Sequence, residues 1–299
     1  MSFELDFVCV GAPKCGTTSL YHYLGQHPRI FLPKKKELHF FSRRYLDRRL
    51  SGPGDRYSLD GCPSSWSQYE KFYSSAQQDQ ILGDISPSYF QHPECFSEIR
   101  ERFPRVKVIL MLRDPVKKAV SQYMHLVREA REPLEFEDAI SAEDSRVKLG
   151  YSDFWEYRAG GLYLEKVKAL YDVFSRKDVK IVFQEDLARS PLQVMSEITD
   201  FLGIESCDWN LEERFNRSGA PRSKLVARLL SPGVFLRAAK LVVPAKFGSK
   251  LKEFLVSKNT IDKKIVGCEI KDQLKDYYQK DVDDLGELIG GVPWRRFRK

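Results

Sequence analysis

The apolar residues of this chain come in short continuous runs separated by segments of helical period, and that alternation sets the fold class. Phe7-Val8-Cys9-Val10, bounded by Gly11 and Pro13, reads as a buried parallel strand, because a strand covered on both faces shows an unbroken apolar run. Leu20, Tyr23 and Leu24 then recur at helical spacing before Gly25, with Thr17 and Thr18 placed to cap the start of that helix. Short strands are expected at Ile30-Phe31-Leu32, stopped by Pro33, and at Ile81-Leu82-Gly83-Asp84, which leads into Ser86-Pro87-Ser88. Val106 to Leu112 is the clearest buried strand. Arg113-Asp114-Pro115 ends it, and proline suits the first turn of a helix running from about Val116 to Arg131. Helical stretches at roughly Leu134 to Leu149 and Gly161 to Phe174 precede a strand at Val179-Lys180-Ile181-Val182-Phe183, and Pro191 to Leu202 reads as a helix closed by Gly203. The Gly-, Pro- and Ser-rich residues from Ser51 to Ser65 read as an excursion over the surface.

This order predicts an α/β fold, a mostly parallel sheet flanked by helices on both faces, with ligands at the carboxyl ends of the strands. Asp84 falls at one such end. After about Phe215 the pattern changes to basic, helix-prone segments broken at Pro232 and Pro244, and then to a last helix from about Glu269 to Ile289. At 299 residues a single domain is expected: residues 1–215 as the α/β core, and residues 216–299 as a helical part covering the cleft.

Composition narrows the setting. With 42% hydrophobic and 12% aromatic residues the chain has material for a large core and is not disordered. Met1 to Asp6 carry no basic leader pattern, so a cytoplasmic location without stable membrane insertion is expected. The six cysteines show neither zinc-site spacing nor the density of a disulfide scaffold, which predicts reduced thiols and no metal. A net charge of +7 suits an anionic ligand and is too mild to call for nucleic acid. Val226 to Phe254, where Leu, Val and Phe mix with Arg and Lys, reads as a lid over the cleft or as an amphipathic surface helix on anionic glycans or membranes.

Gly11-Ala12-Pro13-Lys14-Cys15-Gly16-Thr17-Thr18-Ser19 lies between a strand and a helix, where backbone N–H groups and the helix N-terminus form an anion site. A nucleotide triphosphatase or kinase needs lysine directly after the second glycine; Thr17 stands there, and the lysine is Lys14, inside the loop. Arg113, at a strand end, and Ser121, two helical turns on, are placed to converge on a second phosphate, with arginine supplying a bidentate fork.

The loop from Ala12 to Ser19 resembles the 5′-phosphosulfate loop of sulfotransferases that use 3′-phosphoadenosine 5′-phosphosulfate (PAPS). Leu112-Arg113-Asp114-Pro115 through Ser121-Gln122-Tyr123 resembles their 3′-phosphate motif. Lys36-Glu37-Leu38-His39-Phe40-Phe41, Ser86-Pro87-Ser88-Tyr89 and Arg217 to Ser223 extend the likeness to the bacterial and heparan-sulfate-type branch. The resemblance implies a P-loop-like sulfotransferase fold, with PAPS as donor and adenosine 3′,5′-bisphosphate as product. It implies Lys14, Cys15, Gly16, Thr17, Thr18 and Ser19 around the phosphosulfate, and Arg113, Ser121 and Arg222 around the 3′-phosphate. Glu37 takes the place of that branch's proposed base, with Asp84 and His39 as rivals. Heparan-type members carry Glu-Lys before Thr-Pro, whereas this chain has Asp84-Ile85 before Ser86-Pro87, which points away from a polyanionic acceptor and towards a small molecule.

Overall fold

The structure, a computed structural model, describes residues 3–211, 219–221, 260–262 and 266–294. Five strands, β1 (Phe7–Gly11), β2 (Ile30–Phe31), β3 (Ile81–Ile85), β4 (Lys107–Leu112) and β5 (Val179–Phe183), form one sheet in the order β2-β3-β1-β4-β5. Every pairing in it is parallel. Each lies where the apolar runs placed it, within a residue or two of the expected ends. All of β1 is buried, as a central strand between two helical layers must be. The chain first builds one side of β1 with β2 and β3 and then crosses to the other with β4 and β5. Such a reversal opens a crevice at the carboxyl ends of the strands.

Among the described residues the α-helices are, in chain order, α1 (Thr17–Leu24), α2 (Arg43–Leu46), α3 (Trp66–Lys71), α4 (Phe96–Arg102), α5 (Pro115–Arg128), α6 (Phe136–Ser141), α7 (Glu143–Lys148), α8 (Leu164–Val173), α9 (Gln184–Arg189), α10 (Pro191–Leu202) and α11 (Cys268–Ile289). Two depart from expectation. α5 stops at Arg128, and Ala130 (φ 55°) turns the chain away before Arg131. The single helix expected from Leu134 to Leu149 is two short ones meeting at Ala142.

The stretch from Ser51 to Ser65 is not a loose excursion. Asp55, 1% exposed, anchors it: its carboxylate accepts from the N–H groups of Gly52 (2.9 Å) and Ser152 (2.9 Å), the Ser152 hydroxyl (2.8 Å) and Trp155 Nε1–H (3.0 Å), and it pairs with Arg131. A buried carboxylate is tolerated only when its lone pairs are filled in this way. Its partners come from the chain turn after α5 and from the segment before α8, so one side chain ties three distant segments together.

At the C-terminal end α11 lies against α5 and α8. Its Asp281 carboxylate accepts the N–H groups of Tyr163 (2.9 Å) and Leu164 (3.1 Å), capping the start of α8. The strands Gly219–Pro221 and Thr260–Asp262 pair antiparallel, and the first packs against α5. Arg222 and the whole of Val226 to Phe254 lie outside the described residues.

Candidate functional site: two anion loops and a held carboxylate

The first loop begins where β1 ends. A register shift against β4 between Cys9 and Gly11 bends the chain out of the sheet, and a Cβ on Gly11 would stand 2.4 Å from Phe90 Cβ, so the close passage of residues 87–90 requires glycine. Lys14 (φ 66°) and Gly16 (φ 96°) both take left-handed backbone, which turns the loop sharply back on itself. Gly16 is the N-cap of α1 and no side chain caps the helix. The expected capping by Thr17 and Thr18 is thus corrected: both lie inside the first turn rather than ahead of it. The first-turn N–H groups, which have no intrahelical acceptor, and the positive end of the helix are left to a ligand. Burial, then the nearby charge of Arg128, pushes Lys14 down to about 8, with Glu37 and Glu129 pulling the other way.

The second loop meets the first directly. Arg113 Nη1 donates to the Lys14 carbonyl at 3.2 Å, and its Nε is buried without an acceptor among the described residues. That orphaned donor and the uncapped amides beside it fit two anionic groups on one ligand. Asp114 caps α5, accepting from Lys117 N–H at 3.0 Å, with Pro115 in the first turn as expected. Ser121, partly exposed, stands two turns along α5. The arrangement is braced from behind by Tyr163, wholly buried, whose hydroxyl donates to the Arg113 carbonyl at 2.9 Å and lies 3.8 Å from Cys15 Sγ. The Gly219–Pro221 strand against α5 brings the residue before Arg222 to the helix that carries Ser121.

The candidate bases follow β2 and β3. Glu37 (φ 64°) and His39 (φ 54°) are non-glycine residues in left-handed backbone, a conformation that persists only where surrounding contacts impose it. Glu37 N–H is bonded to the Ile85 carbonyl at 3.2 Å, its Oε1 accepts from Lys36 Nζ, and its Oε2 is 3.7 Å from His39 Nε2. The Glu37 side chain is 40% exposed; its partial desolvation favours the neutral acid, yet Lys36, His39 and Lys14 outweigh it and hold Glu37 at about 2. Asp84, 1% exposed, is surrounded by hydroxyl donors: Tyr69 at 2.9 Å, Tyr89 at 2.7 Å and Ser86 at 2.7 Å. Burial raises it against those three bonds. His39 Nδ1 sits 2.7 Å from Ser88 Oγ, and burial lowers the ring, opposed by Glu37.

Three participants were not singled out from the sequence. Tyr163 braces both loops from 50 residues beyond Arg113. Ser88 lies within a quoted motif but only the fold brings it to His39. Lys118, 1% exposed, donates to Gln122 Oε1 at 2.8 Å under the first loop, where burial and then the charge of Lys166 push it down to about 8. The only available signal for it was a lysine on the buried face of α5, four residues before a glutamine.

The model of the sulfotransferase family matches residues 6–209. The chain belongs to the sulfotransferase family. The crystal structure of a sulfotransferase from Alicyclobacillus acidocaldarius is 30% identical and covers 99% of this chain and 100% of its own, with a TM-score of 0.75. Membrane-associated sulfotransferase kil1 of Dictyostelium discoideum is 30% identical over 135 residues, 44% of this chain and 26% of that protein. Human heparan sulfate glucosamine 3-O-sulfotransferase 3B1 is 25% identical over 211 residues, 71% of this chain and 49% of that protein. The chain spans between a quarter and a half of the length of these two relatives. The family match takes in both candidate loops and the Glu37 segment and stops short of Arg222. Among the described residues no helix is long and apolar enough to cross a membrane.

Proposed function

We propose that this chain transfers the sulfuryl group of PAPS to a hydroxyl or amine of a small-molecule acceptor, releasing adenosine 3′,5′-bisphosphate. The observation that carries the reading is the contact of Arg113 Nη1 with the Lys14 carbonyl, which joins two anion-binding loops at the end of one sheet. A donor with phosphosulfate at one end and a separate 3′-phosphate at the other matches that pair. In this reading Lys14, the amides of Gly16, Thr17, Thr18 and Ser19, and the threonine and serine hydroxyls hold the phosphosulfate; Arg113, Ser121 and Arg222 hold the 3′-phosphate. Positioning and fixed dipoles then supply most of the acceleration.

As the acceptor oxygen or nitrogen bonds to sulfur, the bond from sulfur to the bridging oxygen breaks and its electron pair stays on the phosphate, where Lys14 and the loop amides meet the charge. The acceptor proton passes to Glu37. Asp84 suits this role less, since three hydroxyls already occupy its carboxylate. Asp84 and Ile85 are both buried where heparan-type members carry Glu-Lys, which supports a small acceptor over a polyanionic chain. Incubation with sulfur-35-labelled PAPS and a panel of phenols, alcohols, amines and sugars should yield labelled product. Absence of transfer, together with magnesium-dependent ATP hydrolysis, would move the chain to nucleotide triphosphate chemistry.

A further inference from the structure

A short chain of hydroxyls stands behind the candidate base. His39 Nδ1 is 2.7 Å from Ser88 Oγ, which is 2.7 Å from Ser42 Oγ, and Ser42 Oγ is 3.3 Å from the His39 carbonyl oxygen. Ser42 is 0% and Ser88 6% exposed, so solvent does not compete for these bonds. Each hydroxyl has one proton to give and can accept twice; with both hydroxyl protons used within the chain, and none left without an acceptor in this buried place, it runs in one of two directions. If Ser42 donates to the His39 carbonyl, Ser88 must donate to Ser42 and the ring must donate from Nδ1. The lone pair of neutral His39 then lies on Nε2, 3.7 Å from the Glu37 carboxylate. If instead Ser42 donates to Ser88 and Ser88 to Nδ1, the ring proton lies on Nε2 and its N–H faces the anion. The second direction uses both 2.7 Å contacts, which are inside the ordinary O–H···O range, and gives up only the 3.3 Å contact, which is outside it. It also exchanges a lone pair facing a carboxylate for a donor facing one.

A doubly protonated ring is opposed by burial and by the charges of Lys36 and Lys35, against the pull of Glu37 and Asp153. The backbone is fixed by the same region of the fold. Ser86 Oγ accepts the His39 N–H at 3.2 Å and donates to Asp84 at 2.7 Å, so the hydroxyl-ringed Asp84 anchors the turn that aims the imidazole.

We propose that Ser42 and Ser88 are positioning residues that fix His39 as its Nε2–H tautomer, and that the ring dipole this tautomer turns towards the Glu37 carboxylate, 3.7 Å away and so electrostatic without a direct hydrogen bond, orients Glu37 Oε2, making His39 the holder of the base and not the base. The proposal rests on Glu37 as the proton acceptor. It gives Asp84 a purpose as well: an anchor of the turn, two hydrogen bonds from the His39 backbone.

The test is nitrogen-15 NMR of the enzyme carrying ring-labelled histidine, without donor or acceptor, near pH 7.5, with His39→Gln identifying the resonance. The expected spectrum has Nδ1 unprotonated and Nε2 protonated. Ser88→Ala should give a mixture of tautomers and lower kcat roughly ten- to hundredfold with KM for PAPS unchanged, and Ser88→Thr should recover both. An unprotonated Nε2 in the wild type overturns the proposal, as does a Ser88→Ala enzyme that keeps both the tautomer and kcat. If Ser88→Ala does not fold, the wild-type spectrum decides alone. The spectrum needs no turnover: an active Glu37→Gln enzyme would remove the base assignment while leaving the tautomer to be judged separately.

Discussion

At the scale of single residues, opposite forces act on Lys14 and Glu37. Lys14 is held low, to about 8, by burial and neighbouring cations, whereas Glu37 is held at about 2 by cations that overcome its partial desolvation. The sign for Lys14 follows directly. Its charged form is present below about pH 8 and lost above it, so kcat/KM for PAPS should fall about tenfold per pH unit beyond that point. Lys14→Arg, permanently charged, should lose the alkaline fall while retaining donor binding. A Lys14→Arg profile that still drops at the same pH would assign the fall to another group. Glu37→Gln should lower kcat by roughly 10² to 10⁴ with donor affinity nearly unchanged, while Asp84→Asn, whose amide oxygen still accepts from hydroxyls, should stay within about tenfold of wild type. The reverse order of the two variants would make Asp84 the base. Both carboxylates were visible in the sequence as candidates, but what separates them was not: Tyr69, Tyr89 and Ser86 close around one, and Lys36 and His39 around the other, only once β2 and β3 lie side by side.

At the scale of elements, the sheet was legible because a strand covered on both faces must be written in unbroken apolar residues, as β1 is and as β4 is after Lys107, while β5, at the sheet edge and carrying Lys180, showed itself by its Val, Ile and Phe. The start of α5 was legible for a local reason, Asp114 as cap and Pro115 after it. Loop geometry was less so. Lys14, Glu37 and His39 take left-handed backbone without being glycine, and no sequence pattern signals a strained conformation imposed by distant contacts. The capping of α1 misled for a related reason, since Gly16 reaches the cap position ahead of both threonines and leaves their amides turned outward. Asp55 makes the same point about loops: its partners Ser152 and Trp155 lie about a hundred residues away in the chain. Asp55→Ala would strand the Arg131 cation and the N–H groups it now satisfies, at a cost of about 3–5 kcal/mol. A urea titration with an unchanged midpoint would mean that the segment from Ser51 to Ser65 is indeed only a surface excursion.

At the scale of the whole molecule, the two candidate loops meet because several layers of structure converge on their junction. The sheet brings the ends of β1 and β4 together, Arg113 reaches the Lys14 carbonyl, Tyr163 braces Arg113 from the far side, and Asp281 on α11 caps the helix that begins beside Tyr163. Sequence spacing identified both loops and the family they resemble, but not this bracing, which is built from side chains up to 118 residues apart. The central claim is that one ligand carries a phosphate for each loop. Calorimetric titration with adenosine 3′,5′-bisphosphate and with adenosine 5′-monophosphate, at one salt concentration, tests it most directly. The bisphosphate should bind roughly ten- to hundredfold more tightly, the worth of one or two charge-assisted hydrogen bonds to its 3′-phosphate, and Arg113→Ala should erase the difference. Equal affinity for the two nucleotides would contradict the account.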